Sequence, residues 1–225
     1  MKKFICFVFT CCWTFIVFSQ KVSDFEGIVK YDVSFEDAGL PPEAVAMFKN
    51  AEVKLYISPE KQRTDINMIM QNSTSIVDLK EKTLINIMDI GGKKYLIKTD
   101  EAQFKKDREA EPNLKITYTN ETKTIAGYVC QKAEVVLDEA TPGMVMNVYF
   151  TDQIPLNELN PVYKGLKGFP LEYTMNMGGV SIKFIANSIT KEKIDKNVFN
   201  LPKDGYTETT AEALQQELLK QMLGE

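Results

Sequence analysis

The chain has 225 residues, 44% of them hydrophobic and 26% charged, with a formal net charge of −4. That is enough apolar material for a buried core, while the acidic balance and the lack of a basic stripe argue against a nucleic-acid partner. There is no histidine, which removes Ser-His-Asp and Cys-His catalysis, imidazole acid–base chemistry and His-ligated zinc.

The first predicted element is a leader. Lys2 and Lys3 precede an uncharged apolar run from Phe4 to Phe18, and Ser19-Gln20 closes it before Lys21. The run falls short of the ~20 residues a spanning helix needs, so residues 1–20 read as a secretory signal peptide cleaved near Ser19 or Gln20. The expected location is the periplasm or the cell exterior, with outer-membrane association as a further option and no transmembrane segment in the mature chain. Cys11 and Cys12 sit inside the run with Phe15 to Phe18 still to come, whereas a lipoprotein signal ends at its cysteine. Cys6, Cys11 and Cys12 leave with the leader, so the mature chain keeps Cys130 alone and forms no internal disulfide. It also becomes two charges more acidic.

Residues 21–225 are expected to form a single β-rich domain, since no linker, charge run or fixed-period repeat divides them. Val29, Tyr31, Val33 and Phe35 alternate with Lys30, Asp32 and Ser34, the pattern of a half-buried strand. Pro41-Pro42 opens a short helical piece through Phe48, and Val53, Leu55 and Ile57 resume the alternation. Ile66, Met68 and Met70 predict the next strand. Ser73–Leu79 and Leu84–Ile90 flank a Lys80-Glu81-Lys82 turn, and Gly91-Gly92 leads into Lys94–Thr99. Asp100 to Pro112 is charged and reads as an exposed helix or loop. Strands are predicted at Leu114–Tyr118, Thr122–Ala126, Tyr128–Leu137 and Met144–Thr151, then a loop or short helix over Pro155–Gly168. Phe169–Met177 and Val180–Ile189 form a last hairpin through Gly178-Gly179. A C-terminal helix over about residues 208–223 starts at a capping box, Thr209-x-x-Glu212, with Ala211, Leu214, Leu218 and Met222 as its apolar stripe. The predicted class is mainly β (α+β): a curved antiparallel sheet or half-barrel with short helical lid segments and a C-terminal helix.

Three segments carry a family resemblance: Gly127-Tyr-Val-Cys130 followed by Lys132-Ala133, Gly168-Phe-Pro-Leu-Glu-Tyr173, and Phe199-Asn-Leu-Pro-Lys-Asp-Gly-Tyr206. In this order they resemble exported Bacteroidetes-type proteins of unknown function, the GLPGLI proteins and their domain-of-unknown-function 4412 relatives, from Phe25 to Tyr206. Those families are similar in outline to the lipoprotein carriers LolA and LolB, which implies a curved sheet wrapped around an apolar cavity. No carrier binding residue can be placed on this chain.

Met68 and Met70, Met144 and Met146, and Met175 and Met177 each place two methionines on one side of a predicted strand. A methionine-rich face can re-pack around varied apolar ligands, so these six residues are the candidate lining of a hydrophobic-ligand cavity, with lipid or lipoprotein acyl chains as partners. Ordinary core packing is the alternative. Thioether and thiolate groups also suit Cu(I), which makes a soft-metal site with Cys130 a third reading. Cys130 shares a strand side with Tyr128 and Lys132, and lacks any neighbour in sequence that would activate it; a buried structural role is expected, with surface pairing to another chain as the alternative. Asp138-Glu139 reads as a hairpin turn, the glycine pairs lack a phosphate-loop context, and no calcium-loop spacing occurs. The reading is an exported, monomeric, non-enzymatic cell-envelope protein without cofactor or catalytic residues. It binds or carries a hydrophobic ligand, or else is a structural or interaction protein with a filled core.

Overall fold

The computed structural model describes residues 25–35, 51–68, 71–110, 114–137, 145–156, 163–177, 180–201 and 205–223. Twelve strands are present among them: β1 (Gly27–Phe35), β2 (Glu52–Ile57), β3 (Lys61–Asn67), β4 (Gln71–Asp78), β5 (Thr83–Ile90), β6 (Lys93–Thr99), β7 (Leu114–Ile125), β8 (Tyr128–Leu137), β9 (Val145–Thr151), β10 (Phe169–Met177), β11 (Val180–Lys191) and β12 (Thr207–Thr209). Two helices accompany them, α1 (Glu101–Ala110) and α2 (Ala211–Leu223).

All the strands join one sheet in the order β12-β6-β5-β4-β3-β2-β1-β11-β10-β9-β8-β7. Two runs of hairpins, β1–β6 and β7–β11, are joined through the antiparallel β1–β11 pair. The expected curved, mainly antiparallel sheet with a C-terminal helix is therefore the observed architecture. One pairing departs from it: β12 runs parallel to β6, Thr207 opposite Tyr95 and Thr209 opposite Ile97.

Local chemistry explains most elements. In β1, Val29 and Tyr31 are buried while Lys30 and Asp32 are exposed, and β2 repeats the alternation through Val53, Leu55 and Ile57. Gly91 and Gly92 have φ of +60° and +82°, the left-handed conformations of a two-residue hairpin turn. Within the charged segment Glu101–Ala110 forms helix α1, with Asp100 accepting the Gln103 N–H as its N-cap.

Three boundaries differ from the sequence pattern. β3 ends at Asn67, which pairs with Asn72, so Met68 lies in the connection rather than the strand. Leu114–Tyr118 and Thr122–Ala126 are not two strands but one bulged strand, β7. The helix cap is Thr210, whose Oγ1 accepts the Ala213 N–H at 3.2 Å, because Thr209 is engaged in the β12 ladder. Residues 41–48, Met70, Met144, the Asp138-Glu139 loop and Gly178-Gly179 lie outside the described residues.

Among the described residues three hydrophobic clusters hold the sheet. The main one runs from Phe25, Val29 and Tyr31 through Val148, Leu171 and Phe184 to Ile125 and Cys130. A second joins Ile76 to Ile194 and Phe199, and here Arg63 donates to the Val198 carbonyl at 2.6 Å. The third seats α2 on the sheet: Leu214 is buried against Tyr95 and Ile97, Leu218 packs beside them, and the Tyr95 hydroxyl donates to Glu217 at 2.8 Å. Ala211, expected on this stripe, is exposed.

Gly168 shows why the Gly-Phe-Pro segment begins with glycine. A Cβ at this position would lie 2.5 Å from Phe150 Cδ2 and 2.6 Å from the Thr151 carbonyl oxygen, so the chain entering β10 can approach β9 only without a side chain. Gly168→Ala is expected to lower the unfolding free energy by about 2 kcal/mol. Urea denaturation measures this, and an unchanged midpoint would show that the β9–β10 contact is looser than described.

Candidate functional site

Among the described residues an extended arrangement of polar side chains surrounds an irregularity in β7. Tyr118 pairs with Ala133 and Thr122 with Gln131, so β7 carries two more residues than β8 over the same interval. Such a bulge twists the strand and re-aims its side chains. The side of the ribbon that is buried changes here. Val129, Gln131, Ala133 and Val135 share one side of β8 by alternation, yet Val129 is 60% exposed and Gln131 is exposed, whereas Ala133 and Val135 are fully buried. Beyond the bulge it is Cys130 and Ile125, on the other side, that enter the core.

The bulge is tied down from both directions. Gln131 Nε2 donates to the Thr119 carbonyl at 2.7 Å, and the Thr119 hydroxyl donates to the Lys132 carbonyl at 3.3 Å. Glu121 accepts from the Tyr149 hydroxyl at 2.5 Å and from Lys132 Nζ at 3.2 Å. The bond to Tyr149, followed by that to Lys132, holds the Glu121 carboxyl below its ordinary range. The same Glu121 bond pushes the Tyr149 phenol up to about 12.

Next to this pair, Glu172 of β10 is 5% exposed. It accepts from Lys123 of β7 and from Lys183 of β11, the latter at 3.1 Å. β7 and β10 are separated by two strands, about 14 Å in a flat sheet at the usual strand spacing, so this ion pair records how far the sheet curls. Lys191 of β11 likewise lies over the ring of Tyr128 at the start of β8.

On the other side of the bulge a cleft of about 430 Å³ opens between the β7–β8 ribbon and the end of β9, lined by Asn120, Thr122, Val129, Gln131, Phe150 and the Thr151–Gln153 turn. Sequence reasoning assigns none of these residues to a ligand site. The signal available to it is the interrupted alternation at Thr119-Asn-Glu121, and a carboxylate set between Leu171 and Tyr173 in the apolar first half of β10.

The methionine positions are distributed differently from a common lining. Met146 is 6% exposed within the main core, where the Tyr163 hydroxyl lies 3.9 Å from its sulfur, and Met175 packs against the same cluster. Met68 is half-buried in the β3–β4 connection, apart from these two in the sheet order. The side chains of Met70, Met144 and Met177 lie outside the described residues. Cys130 is fully buried, its thiol donating to the Tyr128 carbonyl at 3.5 Å, and burial pushes it up to about 11. It is therefore neither an activated nucleophile nor a surface thiol. Among the described residues no three His, Cys, Asp or Glu side chains converge as metal ligands, and no helix is long and apolar enough to cross a membrane.

Residues 29–213 match the family model described as N-glycanase peptide, N-terminal domain. The chain belongs to this family. Two solved structures of PNGF-II, each 16% identical, align with 87% of this chain at TM-scores of 0.53 and 0.55. The alignments cover 34% and 33% of PNGF-II, so the chain spans about a third of that protein's length, and at this identity the likeness is one of fold alone. A β-barrel-like protein of domain of unknown function 1849 from Brucella abortus aligns over 77% of this chain and 100% of its own, at 11% identity and a TM-score of 0.34. No curated protein matches.

The Glu172 cluster has a defined pH signature. Burial alone would raise the Glu172 carboxyl, but the bonds from Lys123 and Lys183 more than reverse this and set it below its ordinary range. A carboxyl depressed in the folded state adds stability that is fully present above the unfolded pKa, about 4.3, and is lost as pH falls through the folded value. Glu172→Gln is expected to destabilise by about 1–2 kcal/mol at neutral pH, Lys123 being half in water. The gap from wild type should close below about pH 4. Urea unfolding across that range measures it, and a gap independent of pH would assign the loss to packing instead of charge.

Proposed function

We propose that this chain is an exported, non-enzymatic binding module that engages its partner through its surface and not through a cavity in its core. The observation that carries this reading is the placement of Met146 and Met175. Both lie in or against the packed cluster that also contains Tyr163, Leu166 and Tyr173, where their flexible side chains fill volume. A carrier of acyl chains would need that space open. The interaction-protein reading of the sequence is thus favoured over the lipid-carrier and Cu(I) readings.

Other features support it. Membership of a family named for the N-terminal domain of an N-glycanase suggests a module that accompanies a catalytic unit. The chain has no histidine, and its mature cysteine is buried with a raised pKa, so neither supplies a nucleophile–base pair. Kinship with the GLPGLI and domain-of-unknown-function 4412 proteins belongs to the same proposal. The segments that suggest it occupy places where backbone geometry is demanding: Gly127 at φ +85° in the β7–β8 turn, Gly168 at its close approach to β9, and Gly205 at φ +93° just before β12.

Native mass spectrometry of the protein purified from its own host tests the reading. The expected spectrum is a bare polypeptide beginning near residue 21, without an acyl-lipid or copper adduct. A stoichiometric lipid mass would overturn it in favour of a carrier, and an uncleaved N-terminus would overturn the export step.

A further inference from the structure

We propose that the cleft at the β7 bulge is a binding site for a neutral saccharide. This deepens the surface-module reading and rests on it.

The lining chemistry sets the ligand class. Asn120, Gln131 and Gln153 supply carboxamides, Thr122 a hydroxyl and Asp152 a carboxylate, and no lysine or arginine takes part. A carboxamide presents donor and acceptor side by side, and a carboxylate accepts from two hydroxyls, so the set matches the adjacent hydroxyl groups of a sugar ring. A site for phosphate or carboxylate would need cations or converging backbone N–H groups, and the cleft carries a negative charge instead. Val129, 60% exposed, offers apolar surface for the C–H face of such a ring, and Phe150, 6% exposed, closes the wall behind it. The volume, about 430 Å³, lies in the range of small-molecule sites.

The frame is fixed before any ligand arrives. Glu121, between Asn120 and Thr122 in sequence, is bonded to Tyr149 and Lys132 on the far side of the ribbon. Gln131 Nε2 is bonded to the Thr119 carbonyl, and the Gln153 N–H to the Thr151 hydroxyl at 3.3 Å. The side chains of Asn120, Thr122 and Asp152 make no hydrogen bond among the described residues, so they meet a ligand with their capacity unspent. The fixed backbone lowers the ordering cost of binding, which then falls on these side chains alone.

Amide NMR of the full mature chain, titrated with maltotriose, cellotriose, mannotriose and chitotriose, tests the site. At least one sugar is expected to shift resonances of residues 120–122, 129–131 and 150–153 saturably, and glucose 6-phosphate to bind no more tightly than glucose. Asn120→Ala, at an exposed position, and Val129→Lys, at the lip, should each weaken that binding about tenfold with an unchanged thermal midpoint. Three results would overturn the proposal: no saturable shifts with any of the four, shifts confined elsewhere, or full affinity retained in both variants. Each is separate from the mass-spectrometric result, because a blank titration leaves a bare polypeptide mass standing, while a bound lipid mass would remove the reading on which this site depends.

Discussion

The constraint on which the rest of this structure depends is the bulge in β7. A ribbon of two strands that alternates strictly keeps one side in the core along its whole length. Here two extra residues between Tyr118 and Thr122 turn the ribbon over, so that Ala133 and Val135 are buried on one side and Cys130 and Ile125 on the other. The curl of the sheet then brings the distal part of the ribbon into the same core as β1, with Ile125 and Cys130 joining Val29 and Tyr31. Without the inversion that end would present Thr122, Val129 and Gln131 to the core and leave Cys130 in water.

Polar bonds maintain the curl where hydrophobic area cannot specify direction. The Tyr31 hydroxyl, buried, donates to the Pro170 carbonyl at 2.7 Å, and Tyr173 lies edge-on to Tyr31 and stacked on Phe184. Glu172 adds charge-assisted bonds from both flanking directions. A buried ion cluster of this kind contributes less to net stability than to a unique arrangement, because desolvation offsets much of the attraction. Its effect is to lock β7, β10 and β11 in one relative position, and that position shapes the cleft behind the bulge.

Much of the fold is legible in the sequence because period-two alternation is local. Val29-Lys-Tyr-Asp-Val33 and Val53-Lys-Leu-Tyr-Ile57 state which side is buried without help from distant residues. The paired glycines at Gly91-Gly92 mark their hairpin for the same reason. What is not legible is long-range. The parallel pairing of β12 with β6 joins segments more than a hundred residues apart through a three-residue strand, too short to leave a pattern. Residues 119–121 do interrupt the alternation, but an interruption reads equally well as a gap between two strands; only the pairing with β8 makes it a bulge. Spacing of two puts Met144 with Met146 and Met175 with Met177, yet whether such a side faces space or packed atoms depends on Tyr163 and Leu166, which arrive from a loop with no strand pattern. The partners of Glu172 come from strands elsewhere in the chain, so its neighbours in sequence give no hint of them.

The inversion at the bulge has a direct chemical readout, because Cys130 is the sole cysteine of residues 21–225 and its side of β8 is buried only if the ribbon turns over. The decisive measurement is the rate at which a small aromatic disulfide reagent labels Cys130 in the native mature protein, compared with the urea-unfolded chain at the same pH. The expected result is labelling slowed by on the order of a thousandfold, governed by opening of the structure. Labelling of the native protein at a rate near that of the unfolded chain would place Cys130 on the water-facing side and contradict the inversion.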